Sequence, residues 1–477
     1  MKWELRGAWA LCVLACVSSG EARAEEEAVD EALLSARPTL YLGDANAEGG
    51  YFGAGLHLGL TGRSPEFGPN LRAEAELSLL IAKGQQSTAI AFEDNSSWLR
   101  LSWRPEGWAL GEGLAFTLLP LHSDRLFLGW EYPVASSLAL SGTSGTTTGA
   151  DLRLSREGWY AFVSAKSLMR LDDKVHEQFR KFTVLGGGGY DVLRVLRLEV
   201  QAAYAELGVN PTTSVLGKPV DEAALAARAS YHYGLPVGPP SDWQRFRNDP
   251  AVWEKLLRPE VYPGGLAVTA AVEGLYVQQR GLADPDEFGK TLEIPSSAVA
   301  GEVRVRWDEL RAFARAQHRT LSFLGLSVPG FPPFHGFPDG TRLAGETTVS
   351  AAVDYHFERA HLTPGIGGGV VLPATYTTSG DMGGNNPPPQ PAAERTVVVS
   401  DGYYSPSILP SGVSARPIWN AALTLRLDFE RISAIAEGVY TRNANRYTFK
   451  DTAEGVPEPT ALDPSVFGFH FLVQARF

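Results

Sequence analysis

The chain has 477 residues, 44% of them hydrophobic and 20% charged, with a formal net charge of -12. A slightly negative mean hydropathy excludes a bundle of membrane helices, each of which needs about 20 consecutive apolar residues. The acidic balance, with no Lys/Arg-rich run anywhere, argues against a nucleic-acid partner.

The first segment has its own logic. Lys2 and Arg6 precede a short apolar run from Ala8 to Val17, and Ala22-Arg23-Ala24 offers small residues at a cleavage site before Glu25. Charged start, short apolar core and A-x-A exit read as a signal peptide over 1–24, cut after Ala24 with Ala22 beside it. A buried N-terminal helix is the plain alternative. A lipoprotein acylated at Cys16 is a second, disfavoured by the short core and by Leu14. Cys12 and Cys16 both lie in this segment, so the exported chain holds no cysteine and no disulfide. Residues 25–50, opening on Glu25-Glu26-Glu27, read as a solvated acidic tail.

From Tyr51 onward, apolar and polar residues alternate in segments separated by Gly, Pro, Asn, Asp and Ser, which is the period of strands with one apolar face. In 71–81, Leu71, Ala73, Ala75, Leu77, Leu79 and Ile81 oppose Arg72, Glu74 and Glu76. Leu196, Leu198, Val200, Ala202 and Tyr204 oppose Arg197, Glu199 and Gln201. Further along, Arg228, then Glu302, Arg304 and Arg306, then Arg426 and Asp428 occupy polar faces in the same way. Aromatic residues close many apolar faces, as girdles at two membrane interfaces require, and charge sits mid-strand on the opposite face. The pattern predicts an all-β fold: a transmembrane, antiparallel, up-and-down β-barrel over 51–477 with about 16–18 strands. Candidate strands at 111–119, 125–134 and 180–191 are the weakest, the last because of Gly186-Gly187-Gly188-Gly189, which suggests a bend or a close approach.

Short turns alternate with long links at about 168–179, 207–221, 280–296, 321–343, 373–415 and 444–464. In a membrane barrel the short turns face the periplasm, so 25–50 is placed there and 373–415 becomes a long extracellular loop. One link breaks the rule. Where a tight turn is due, 235–264 intervenes, and Asp249-Pro250 followed by Ala251 to Arg258 predicts a short helix within 241–258. It reads as a helix packed over the barrel end, or as a partial plug.

The last strand carries a resemblance. Phe467, Phe469, Phe471, Val473, Ala475 and Phe477 alternate with Gly468, His470, Leu472, Gln474 and Arg476, and the chain stops on an aromatic. This resembles the C-terminal insertion signal of outer-membrane β-barrels of Gram-negative bacteria. The resemblance implies recognition of Phe467, Phe469, Phe471, Val473 and Phe477 by the barrel-insertion machinery. It also implies periplasmic chaperones as biogenesis partners and outer-membrane lipid around the folded barrel. Leu472, on the inward face, departs from strict alternation.

No nucleophile-elbow, phosphate-loop or Cys-x-x-Cys motif occurs, and nothing calls for a cofactor or a metal. His356 and His361 flank a turn by accident of spacing. Asp354, His356, His232 and Ser230 would be the candidates for lumen chemistry, but polar inward residues are expected of any wet pore, and an enzyme is not expected. The chemical content lies in the inward charges Arg72, Glu74, Glu76, Arg197, Glu199, Arg228, Glu302, Arg304, Arg306, Arg426 and Asp428. They either set a field that sorts solutes or pair across the lumen; their mixed signs forecast no steep ion preference. The expected function is a porin-like channel for passive diffusion of small hydrophilic solutes. The alternative is a non-conducting surface barrel whose loops serve adhesive, structural or partner-binding roles.

Overall fold

The computed structural model describes residues 33–44, 52–83, 90–95, 97–121, 126–130, 148–172, 177–208, 220–238, 257–258, 261–282, 291–324, 341–378, 395–399, 407–451 and 457–477. The signal segment 1–24 lies outside them.

Each strand pairs antiparallel with its neighbour in the chain, and the first strand, Leu33–Asp44, pairs on one side with Phe52–Arg63 and on the other with the last, Ser465–Ala475. The sheet is therefore closed. Nineteen hydrogen-bonded segments make eighteen staves, because Ile90–Asp94 and Trp98–Trp103 both pair with Leu71–Lys83 and are two halves of one interrupted strand. At the seam, Ala36 and Phe477 exchange both backbone hydrogen bonds, at 2.9 and 3.0 Å. The chain's last residue thus helps to close the ring, leaving no stave edge unpaired.

Alternation fixes what faces out. Trp103, Trp159, Tyr190, Tyr231, Trp307 and Tyr355 are exposed at one end of the staves, and Phe182, Tyr204, Tyr276, Trp419 and Phe467 towards the other. Leu, Val, Ala and Gly fill the band between, so Trp307 is 65% exposed to whatever solvates the outside. An aromatic-girdled apolar belt with polar residues inside is the inverse of a water-soluble barrel; it spans a membrane. Above the belt an outward network begins: Tyr204 donates to Asp221, and Arg280 pairs with Asp221 at 3.2 Å and Glu293 at 3.3 Å.

Three expectations change. The acidic tail 25–50 ends sooner than expected, since Leu33–Asp44 is a stave and the barrel begins at Leu33 rather than at 51. Pro38 lies outside the Thr39–Gly43 ladder with the last strand, so its missing N–H is tolerated there. The candidate strand 125–134 is not a stave, because Gly113–Leu119 pairs directly with Gly149–Arg156. The gain of one strand and loss of another leave the count at eighteen. The link at 168–179 shrinks to 173–176, as Trp159–Asp172 and Glu177–Leu193 run on past the belt.

At the long-loop end, Arg342–Ala344, Ala374–Thr378, Arg395–Val399 and Ser407–Ile408 form a separate four-stranded sheet. Leu321 and Leu324, from the helical turn Leu321–Leu324, pack with Ala374 and Val399 beneath it. Of the helix expected within 241–258, Leu257 and Arg258 are described and the rest lies outside the described residues.

Candidate functional site

The candidate site is the lumen, whose wall is polar by alternation but differs around the ring. Along Leu71–Lys83, Trp98–Trp103, Gly113–Leu119 and Gly149–Arg156 the inward side chains border open space. A cavity of about 420 Å³ at the short-turn end is lined by Glu66, Arg72, Glu74, Arg104 and Ser155 among others. A second, of about 430 Å³, lies further in against Trp98, Trp130, Tyr160, Arg197 and Glu199. Arg100, Thr117, Asp151 and Arg153 line both, so the two adjoin.

The charges on this open wall are placed by their neighbours. Arg100 Nε donates to Thr117 Oγ1 at 3.0 Å, with its guanidinium 4.8 Å from the Trp98 ring and 4.0 Å from Glu74. Glu74 also takes Arg63 at 2.8 Å, while Glu66 takes Arg104 at 2.9 Å and Arg72 at 3.3 Å. Arg153 lies 4.0 Å over the Tyr160 ring, and the Tyr160 hydroxyl donates to Glu199 Oε1 at 2.6 Å. Arg228 approaches Glu199 at 3.9 Å, and Arg197 forks onto Asp191 at 2.5 and 2.8 Å. Glu76 is buried between Arg37 and the Trp98 indole N–H, both at 3.2 Å. The carboxylates are mostly recessed, whereas the Arg100 and Arg197 side chains are 41% and 43% exposed. Arg100 and Arg197 thus stand open to a solute on a wall where five arginines balance five carboxylates.

The glycine run does its work here. A Cβ at Gly189 would lie 2.6 Å from Tyr160 Cε1, and one at Gly187 would lie 2.8 Å from Gln201 Cγ. Tyr160, on one neighbouring strand, and Gln201, on the other, occupy the space that these glycines leave empty. The run is a close approach within an unbroken ladder, not an interruption of the strand.

One segment from the loop end folds into the lumen. Leu128 is fully buried among Leu185, Ala203, Ala224, Ala226, Leu275 and Val277. Its neighbours are held by the wall: Lys166 Nζ donates to Leu126 O at 2.6 Å, Gly129 N to Gln201 Oε1 at 2.8 Å, and Trp130 N to Glu273 Oε1 at 2.9 Å. Three side chains thus satisfy backbone groups that burial would otherwise strand, and the apolar seat of Leu128 contributes about 2 kcal/mol. The sequence carried a signal for this seat. Ala223-Ala224-Leu225-Ala226-Ala227 has no polar face, as expected of a strand covered on both sides.

The opposite wall is closed. Arg311 and Asp354 form a buried bidentate pair, with Nε and Nη2 donating at 2.9 and 2.6 Å, and Arg319 pairs with Glu346. Glu302 pairs with Arg304, and Arg426 with Asp428 at 2.5 Å. So the predicted charges divide: Arg72, Glu74, Arg197 and Glu199 border open space, while Glu302, Arg306 and Arg426 are buried in contacts and Arg304 is partly buried. Asp354 is occupied by Arg311, and His356 bonds Thr363 Oγ1 at 2.9 Å. Neither is grouped with Ser230 for catalysis. Among the described residues no three His, Cys, Asp or Glu side chains converge as metal ligands. Sequence reading missed Arg100, Asp151 and Arg153, although Leu152 and Leu154 alternate with the last two.

Phe467, Phe469 and Phe477 face outward and are exposed; Phe471 and Val473 share their face, opposite Leu42 and Leu40. Leu472 points in and is fully buried.

No family model and no curated protein matches the chain. Among solved structures it is similar to Pseudomonas aeruginosa OccK5 (OpdH), at 11% identity, TM-score 0.47, and 94% and 98% coverage of the two chains. It is also similar to P. aeruginosa OccK2 (OpdF) in complex with glucuronate, at 9% identity, TM-score 0.47, and 94% and 96% coverage. A third, P. aeruginosa OprD, has 10% identity, TM-score 0.46, and 94% and 95% coverage.

Proposed function

We propose that this protein is a porin-like channel of the bacterial outer membrane through which small hydrophilic solutes diffuse passively. One observation carries the reading: two cavities that share Arg100, Thr117, Asp151 and Arg153 run along one polar wall inside a membrane-spanning barrel. Barrels of about 16–18 strands are wide enough to leave an aqueous path. The recessed carboxylates and exposed guanidiniums of that wall favour anionic and strongly polar solutes over cations, a bias that the mixed residue list did not forecast.

In this reading residues 1–24 are removed on export and the short turns face the periplasm. The face of Phe467, Phe469, Phe471, Val473 and Phe477 is recognised by the insertion machinery after periplasmic chaperones deliver the chain, and then meets outer-membrane lipid. Recording from folded, pure protein in a planar bilayer tests the function. Discrete, water-filled conductance steps with a reversal potential on the anion side are expected; a folded barrel that conducts nothing refutes the channel.

A further inference from the structure

Aromatic side chains stand in the lumen where alternation calls for polar ones. Trp98, Tyr160 and Phe162 take inward positions on Trp98–Trp103 and Trp159–Asp172, and the infolded segment adds Phe127 and Trp130. All five are half-buried and line the deeper cavity of about 430 Å³. Trp130 and Phe162 pack against the buried cluster around Leu128 and Leu185 and also border the cavity. Ring surface left bare beside a water-filled path gains nothing from burial. It suits a solute that brings an apolar face of its own.

The polar groups around these rings are charged, and three of them already hold a hydroxyl. Arg100 Nε donates to Thr117 Oγ1 at 3.0 Å, Asp151 Oδ1 accepts from Ser164 Oγ at 2.5 Å, and Glu199 Oε1 from Tyr160 at 2.6 Å. Asp151 keeps a second carboxylate oxygen. Arg153, held 4.0 Å over the Tyr160 ring, makes no hydrogen bond among the described residues.

Both signs of charge thus meet in one cavity. A monoanion gains from the arginines but is opposed by the carboxylates, and a cation meets the reverse. A hydroxyl is donor and acceptor at once, so both signs serve it in charge-assisted bonds. Bare rings and mixed charge together select one class of solute: a ring with C–H groups on its faces and hydroxyls at its rim.

We propose that the deeper cavity is a saccharide-binding subsite, in which Trp130 offers stacking surface to a pyranose ring while Arg153 and Asp151 bond its hydroxyls. The proposal deepens the channel reading and rests on it for transport, but binding can be measured apart from conductance. D-Glucose added to the folded barrel in a planar bilayer should lower the open-channel current saturably. Trp130→Ala should weaken that block about tenfold, and Trp130→Phe, which keeps a ring, should recover most of it. Asp151→Asn, nearly isosteric, should weaken it about fivefold, the difference between a charged and a neutral acceptor.

Absence of a glucose block overturns the subsite, whether or not benzoate, an anionic ring without hydroxyls, blocks in its place. So does a glucose block that ignores Trp130→Ala in a heat-modifiable barrel, or one that Asp151→Asn leaves unchanged or tightens. Should Trp130→Ala not fold, Asp151→Asn decides alone. Should the folded barrel conduct nothing, the channel reading falls and calorimetry with glucose on the detergent-solubilised barrel judges the subsite. Binding heat that Asp151→Asn reduces then supports it, and no binding heat overturns it.

Discussion

The Tyr160 hydroxyl reaches Glu199 at 2.6 Å because Gly189, on the strand between them, has no side chain to stop the ring. The same ring carries the Arg153 guanidinium on its other side, so one missing methyl group positions an aromatic, an acid and a cation at the deeper cavity. Gly189→Ala would set a Cβ 2.6 Å from Tyr160 Cε1 and 3.0 Å from Glu199 Cγ. Overpacking of this kind costs about 1–3 kcal/mol and would be relieved by swinging the ring into the cavity. A lower single-channel conductance is expected, whereas Tyr160→Phe, which keeps the ring and loses the hydrogen bond, should change conductance little. Equal conductance of Gly189→Ala and the unaltered protein would count against the arrangement.

On the open wall, the exposed cations should set ion preference. Arg153→Glu reverses a charge shared by both cavities, and Arg100→Glu does the same beside Glu74. Each should move the reversal potential in a salt gradient towards cations, and the double change further. The shift should fade at high salt, because at 1 M the screening length falls to about 3 Å. A potential that ignores both substitutions would show that permeating ions do not pass this wall.

Arg311 and Asp354 give a stability test free of transport. Arg311→Ala leaves a carboxylate buried without its bidentate partner and should cost about 3–5 kcal/mol, read as a lower midpoint in urea unfolding of the detergent-solubilised barrel. Arg311→Met with Asp354→Leu removes both charges and should recover most of that loss. If the double variant is as unstable as the single one, the pair matters for something other than mutual neutralisation.

The segment folded into the lumen depends on Lys166. Lys166→Met keeps the length of the side chain and removes the donor to Leu126 O. Leu128 should stay seated, since its apolar surroundings are untouched, but the chain before it should move more freely. The expected record is a similar mean conductance with added flicker. Quiet, unchanged traces would show that Gln201 and Glu273 suffice as anchors.

Fold and site differed in how far the sequence disclosed them. Alternation in segments such as 71–81 and 196–204 identifies staves because one face meets the outer belt and the other the lumen, and the two environments demand different residues. The rule fails where both faces meet the same environment. Ala223 to Ala227 face an apolar belt on one side and the buried Leu128 on the other, so the infolded segment was not foreseen, and 125–134 passed for a strand. Leu33–Asp44 was read into the acidic tail that begins at Glu25, not as a strand. The charges of the lumen were legible as residues but not as a surface. Whether Glu199 or Arg197 confronts a solute depends on Tyr160 and Asp191, which hold one back and orient the other. No one-dimensional period encodes those contacts.

At the short-turn end, Glu112 ties two turns together. Its Oε2 accepts from Ala109 N at 2.9 Å and its Oε1 from Glu157 N at 2.6 Å, with Arg156 3.8 Å away. The Ala109 amide is the first cause, and the Glu157 amide the second, of a carboxyl pKa held below its ordinary value. For a group lowered in this way the folded state binds the proton less readily than the unfolded one. Its contribution is therefore complete above the unfolded value of about 4.3 and is lost as pH falls through the lower, folded value. Hydrogen exchange of the Glu157 amide should accordingly stay slow down to mildly acidic pH, once the intrinsic pH dependence is divided out, and quicken below it. Glu112→Gln, which can still accept at one oxygen but carries no charge, should show the quicker exchange already at neutral pH and lose the acid transition. An acid transition that survives in Glu112→Gln would have to come from another group at this rim, and Glu66, bonded to Arg104 and Arg72, would be the next to replace.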